Sequence, residues 1–194
     1  DGHIESNDIV SYLDDTFETP KLIPSKYRGR ILEQLNTEDE LHLALRTLTF
    51  GFCLPSFLTR KPPAALNALE SNEGTVEGKM DSHKKVQLAF WRELAEHGVT
   101  TDQAINAAKR FKKAFSSVEQ QLAGQAFLYG DEISIVDIVW FIYAHRLRST
   151  GYPFKRLHPG LTSWYYAMLA RPEIATEVAD PAPLRIIRYR TQRY

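Results

Sequence analysis

Glu5 and Ser6 stand side by side just ahead of Asn7-Asp8-Ile9-Val10-Ser11-Tyr12-Leu13, an acid and a hydroxyl where an extended segment turns into a helix. Ser6 can cap that helix by accepting from a backbone N–H two or three residues on, and the remaining free N–H groups and helix dipole attract a carboxylate. Glu5 can take an ammonium beside it. The pair is a clamp for a free α-amino-carboxylate. A second informative stretch lies far downstream, running from Leu128 to Ile138 through Gly130, Asp131, Ser134 and Asp137. Ser134 and Asp137 have the spacing of a capping box, and Ile133 and Ile138 stand at the positions of a hydrophobic staple. Their direct meaning is structural: this pair starts a helix and does not touch a substrate.

Glu5-Ser6-x-x-Ile9-x-x-Tyr12-Leu13 resembles the glutathione-site motif of cytosolic glutathione transferases, and Gly130-Asp131-x-x-Ser134-x-x-Asp137 resembles the hallmark of their helical domain. Leu157-His158-Pro159, Trp164 and Arg171-Pro172 follow in an order similar to many bacterial members. The resemblance implies a mainly α fold: a transferase-like C-terminal helical bundle preceded by the last strand and helix of a thioredoxin-like α/β domain. Residues 1–18 would end that incomplete glutathione-binding domain, 19–25 would be a linker, and 26–194 the all-α C-terminal domain. It further implies glutathione as co-substrate, with Glu5 gripping the γ-glutamyl ammonium and Ser6 its carboxylate. The reaction would be attack of the glutathione thiolate on an electrophilic, largely apolar compound, in a homodimer. The acceptor pocket would lie between the domains, with Phe50, Phe52, Phe57 and Tyr143 as lining candidates.

Asp1-Gly2 reads as a turn and His3-Ile4 as a short strand, so the expectation is a chain that begins in mid-domain. The Tyr, Ser or Cys that lowers the thiol pKa, and the cis-proline that holds the cysteinyl backbone, are expected upstream of Asp1. The catalytic residue is therefore unassigned. Two alternatives stay open. One is a glutathione-dependent ether lyase or dehalogenase of the same family, since the long 60–79 stretch resembles an insertion of the bacterial ether-cleaving branch. The other is a non-catalytic transferase-like interaction module, against which the retained Glu5 and Ser6 speak.

Bulk properties narrow the field. Twenty-four basic and twenty-four acidic side chains cancel, so no whole-chain field draws the protein to nucleic acid or an anionic membrane. The single cysteine, Cys53, excludes an internal disulfide, suits a reducing cytosol, and reads as a buried inert thiol within Phe50-Gly51-Phe52-Cys53-Leu54. No stretch has the length of a membrane span, and the first residues lack signal-peptide features. A cytoplasmic protein is expected. The six histidines are scattered without ligand spacing, so no metal is expected, and there is no phosphate loop or nucleophile elbow.

The elements that must position these residues follow from apolar spacing. Ile9, Leu13 and Phe17 form one stripe behind Ser6, and Pro20 and Pro24 stop the helix. From Tyr27 a long helical pattern begins, sparse at Ile31, Leu32 and Leu35, then thick from Leu41. There Leu41, Leu45, Leu48 and Phe52 mark one face, and Leu43, Phe50, Leu54 and Phe57 another, with Gly51 and Pro55 ending it. Residues 60–79 read as an irregular connection with a short helix at Ala64 to Glu70. Val86, Phe90 and Leu94 mark the next helix, which stops at His97-Gly98. Thr100 and Gln103 form a capping box ahead of Ala108, Phe111, Phe115, Val118 and Leu122, whose alternating steps of three and four predict a bundle helix. Its opposite face, Lys109, Arg110, Lys112 and Lys113, reads as solvated. The helix from Ile135 through Tyr143 is apolar almost all round and is predicted to be the central one. The Arg-rich tail from Leu184 to Tyr194 reads as a solvated terminus or as a cover for the pocket.

Overall fold

The computed structural model describes residues 6–53, 59–71, 75–76, 79–80 and 82–178. Helix α1 spans Ser6–Thr16, and after the linker a 3-10 turn at Ser25–Tyr27 leads into α2 (Arg28–Asp39) and α3 (His42–Phe52). Next come α4 (Pro63–Ser71), a two-residue hairpin β1 (Thr75–Val76) and β2 (Lys79–Met80), and α5 (Ser82–His97). The bundle continues with α6 (Thr101–Leu122), α7 (Ile135–Arg148), α8 (Phe154–Leu157), α9 (Pro159–Leu169) and α10 (Pro172–Ala175). In the hairpin the strands run antiparallel, Thr75 facing Met80 and Val76 facing Lys79. The predicted strand at His3-Ile4 and the tail at 184–194 lie outside the described residues.

The longest helix, α6, starts where its sequence says it must. Gln103 N–H donates to Thr100 Oγ1 at 3.3 Å and Thr100 N–H to Gln103 Oε1 at 2.9 Å, a complete capping box. Behind it Ala107, Phe111, Phe115, Val118 and Leu122 are all buried. Gly124 follows at φ +88°, a conformation open to glycine at no steric cost. Helix α7 runs through the middle, packed on α2, α3 and α9, while α6 packs on α3 and α9. Phe115 and Trp140 meet edge to face at 5.8 Å, and Phe111 lies 6.0 Å from Tyr143.

Asp137 is 0% exposed and organises the start of α7. Its Oδ2 accepts from the Ser134 N–H at 2.9 Å and the Ser134 hydroxyl at 2.6 Å, while Oδ1 accepts the Leu128 N–H at 2.9 Å. Burial raises its pKa above the ordinary carboxylate range, against the pull of those three donors. A second carboxylate, Glu119 on α6, caps α9 from outside, accepting the Gly160 N–H at 2.5 Å and the Leu161 N–H at 3.2 Å. A Cβ at position 160 would sit 2.9 Å from Glu119 Oε1, so glycine is what lets the carboxylate reach the helix end.

Four elements differ from their sequence-based expectations. The long helix from Tyr27 is broken at Glu40-Leu41, with α2 packing chiefly on α7 while α3 packs on both α6 and α7. Phe52, placed on the buried face with Leu41, Leu45 and Leu48, is 53% exposed at the end of α3. Within residues 60–79 the short helix expected at Ala64 to Glu70 is α4, anchored by buried Leu66, and the pairing of Thr75–Val76 with Lys79–Met80 is what the sequence reading did not expect. In α5 the buried face is Leu88 and Leu94 while Val86 is 52% exposed, because Phe90 and Trp91 turn to Phe50 at 6.3 and 5.2 Å. Helix α7 also has one open side, marked by exposed Ile142.

Replacing Asp137 with alanine removes the cap and strands the buried Leu128 and Ser134 donors. A loss of about 1 to 3 kcal/mol is expected in urea unfolding. An unchanged midpoint at constant m-value would refute the structural role given to this carboxylate.

Candidate functional site

Of the segment predicted to hold the clamp, the structure describes the helix start. Ser6 opens the helix, with Asp8 in its first turn. Glu5 and the Ser6 side chain lie outside the described residues, so their contacts are not part of the geometry. What the structure does describe is how this helix is held. Asp14, 8% exposed at the far end of α1, accepts the Leu22 N–H at 2.6 Å and the Ile23 N–H at 3.0 Å through Oδ1. Lys21 Nζ donates to the Asp14 carbonyl, and the Arg28 guanidinium grips the Asp15 carboxylate with two bonds of 2.8 Å. The Leu22 carbonyl in turn accepts the Ile135 N–H at 2.9 Å. A continuous run of hydrogen bonds thus leads from α1 through the linker to the first turn of α7, where Asp137 sits. The apolar stripe Ile9, Leu13 and Phe17 is not used for this docking and is exposed, while Val10 packs on the core.

The other predicted positions are not gathered into one pocket. Tyr143 is 6% exposed in the core, its ring 6.0 Å from both Phe111 and Trp140. Phe50 turns to Phe90 and Trp91, and Phe52 faces solvent. Phe57 lies outside the described residues. Phe50, Phe52 and Tyr143 line neither of the two cavities described below. Cys53 is buried at the end of α3.

Around Tyr143 the structure assembles a titratable cluster that sequence reading missed. The Tyr143 hydroxyl lies 3.5 Å from the Glu38 carbonyl, to which it donates. Burial pushes the Glu38 carboxyl up to about 7, with a hydrogen bond from Tyr143 pulling the other way and Asp39 adding to the rise. The Tyr143 phenol is raised well above its usual range, first by burial and then by Glu38. His42 is lowered by burial and by Arg46, and Arg146 by burial, with Arg46 adding to the fall. Carboxyl, phenol, imidazole and two guanidinium groups therefore share the seam between α2, α3 and α7. Glu38 stands seven residues after Ile31 and three after Leu35, so the helical period places it on the buried face of α2, and only its polar type hid that in the sequence.

A cavity of about 500 Å³ opens between α2 and α6. Arg30, Glu33, Arg110, Lys113, Tyr129 and Trp140 are among its lining residues. Arg110 donates to the Glu40 carbonyl at 2.6 Å, and Lys109, Arg110, Lys112 and Lys113 are all exposed, with Arg110 and Lys113 at the border of this cavity. Tyr129 donates to Gln34 Oε1 at 2.9 Å, and Gln34 Nε2 to Gln121 at 3.1 Å. Among the described residues no group of three or more His, Cys, Asp or Glu could hold a metal ion, and no helix is long and apolar enough to cross a membrane.

The described residues form an all-α bundle around a capped central helix. Residues 85–167 match the family model described as the glutathione S-transferase C-terminal domain. A crystal structure of the beta-etherase LigF from Sphingobium sp. strain SYK-6 superimposes with a TM-score of 0.69 at 22% identity, covering 90% of this chain and 72% of that one. No curated protein matches the chain. Residues 85–167 are thus similar to the C-terminal helical domain of glutathione S-transferases.

The raised Glu38 pKa has a measurable consequence. Between its ordinary 4.5 and about 7 the folded protein holds a proton that the unfolded chain has released. This contribution to stability is fully present below about pH 4.5 and is lost as pH rises to about 7, at most about 3 kcal/mol in all. Urea unfolding at pH 5 and pH 7.5 should show that decline in the wild type and a flatter profile in Glu38→Gln. Parallel profiles for the two proteins would contradict the protonated, buried state.

Proposed function

We propose that this chain takes part in a glutathione-using transferase reaction in which the α1 start holds the γ-glutamyl end of glutathione. The observation that carries this reading is the family domain over residues 85–167 together with a Ser6-initiated helix docked on it through Asp14, Leu22 and Ile135. A helix N-terminus offers free N–H groups and a positive dipole end to a carboxylate. Glu5 takes the ammonium and Ser6 the carboxylate. The glutathione thiolate then attacks an electrophilic, largely apolar compound, forming a carbon–sulfur bond as the leaving group departs with its electron pair. The thiol-activating group is not assigned among these 194 residues.

The proposed division is 1–18 for the end of a thioredoxin-like unit, 19–25 for the linker and 26–194 for the helical domain. The exposed stripe Ile9, Leu13 and Phe17 supports it, because an amphipathic helix that turns its apolar face from the bundle is built to be covered by something else. A homodimer in the cytoplasm is part of the same proposal. A second reading, glutathione-dependent cleavage of an aromatic ether, is favoured by the fold likeness to a beta-etherase.

Ser6→Ala tests the clamp. Losing a charge-assisted hydrogen bond should weaken glutathione binding by at least about 1 kcal/mol in titration calorimetry. Equal affinities for the two proteins would sink the role given to Ser6.

A further inference from the structure

Three buried side-chain nitrogens have no hydrogen-bond partner among the described residues: Trp140 Nε1, Trp164 Nε1 and His158 Nδ1. Of these residues only Trp140 lines a described cavity, the one of about 500 Å³ between α2 and α6. The larger groove where the end of α7, α8 and α9 meet, about 950 Å³ and bordered by Arg148, Lys155 and Arg156, has no such donor in its lining. Trp140 is 2% exposed, and its ring is packed edge to face on Phe115 at 5.8 Å and on Tyr143 at 6.0 Å. The indole is therefore fixed and cannot turn to find an acceptor. A buried N–H left without one is costly, so the cavity beside it is where an acceptor from outside the chain can satisfy it.

The walls of this cavity are built. Tyr129 donates to Gln34, Gln34 to Gln121, and Gln121 Nε2 to the Leu128 carbonyl at 2.9 Å, while the Leu128 N–H is held by Asp137. The Arg30 guanidinium lies 5.6 Å from the Tyr129 ring centroid, and Arg110 ties α6 to the Glu40 carbonyl. Both signs of charge border the opening, with Arg30 and Lys113 set against Glu33 and Glu40, all four exposed. Leu41, Ala114 and Val118 add apolar surface to the lining. A simple anion would meet the two carboxylates, and a simple cation the basic groups. A molecule that carries both charges, an acceptor and a short apolar part meets neither penalty.

We propose that this cavity is a binding site for a small aliphatic amino acid in its zwitterionic form, separate from the glutathione clamp. Trp140 Nε1–H donates to a carboxylate oxygen, whose charge Arg30 and Lys113 balance. Glu33 and Glu40 take the ammonium, and Leu41 and Val118 take the aliphatic side chain. The volume falls within the usual range for one small molecule, roughly 300 to 1,000 Å³.

The test follows the Trp140 indole N–H by heteronuclear NMR during titration with L-leucine. Its peak is the one lost in Trp140→Phe or, should that variant not fold, the one kept in both Trp91→Phe and Trp164→Phe. Leucine should move this peak saturably. Arg30→Gln/Lys113→Gln and Glu33→Gln/Glu40→Gln should each raise the dissociation constant at least about fivefold with the thermal midpoint unchanged, because two charge contacts are lost in each. Lys155→Gln/Arg156→Gln, on the other groove, should leave it within twofold. Isocaproate, which lacks the ammonium, and isoamylamine, which lacks the carboxylate, should both bind more weakly than leucine. A Trp140 peak that stays in place throughout the titration would mean that water serves as the acceptor, and would overturn the proposal. Isocaproate binding as tightly as leucine, or equal constants in the wild type and both rim variants, would overturn it as well.

Discussion

The arrangement of the molecule depends on one buried carboxylate. Asp137 gathers the N–H and hydroxyl of Ser134 and the N–H of Leu128 at a point with no solvent exposure. Those three donors would otherwise be stranded in the core, at a cost comparable to a sizeable share of a domain's net stability. The same turn frees the Ile135 N–H to bind the linker at Leu22, and the linker binds Asp14 of α1. The orientation of the Ser6 helix end is thus set by a helix start some 130 residues away in sequence.

Polar groups recur at the seams of this bundle in two different ways. Glu119 and Asp137 satisfy the free N–H groups of helix starts that their own elements do not own alone, one across a helix pair and one across a loop. Glu38 has a different setting, half supported by Tyr143 and pushed toward neutrality by burial. A carboxyl that carries a proton near neutral pH beside a phenol is costly to charge and cheap to bury. It sits where α2, α3 and α7 converge, and its state follows first from burial, with the adjacent Asp39 adding to it.

The two concave surfaces differ in the origin of their charge. Between α2 and α6, cations and acids alternate, and Arg110 is already engaged with a backbone carbonyl. Around α8 and α9 the cations have no acidic neighbours among the described lining residues, and two tyrosine rings partner Arg148. Rings hold a guanidinium without neutralising it, which leaves the groove electropositive.

The sequence by itself determined the elements whose signals are local. Thr100 with Gln103 and Ser134 with Asp137 mark helix starts because side chain and backbone lie within one turn, and the spacing of Phe111, Phe115, Val118 and Leu122 marks a buried face because it repeats the helical period. The family motifs were legible for the same reason. Tertiary structure alone decided the rest: the break before α3, the core position of Tyr143, the exposure of Phe52, and the convergence of Arg148, Lys155 and Arg156 on one groove. These depend on which helices meet and at what angle, and helices carry that information jointly, in surfaces that become complementary only once both are folded.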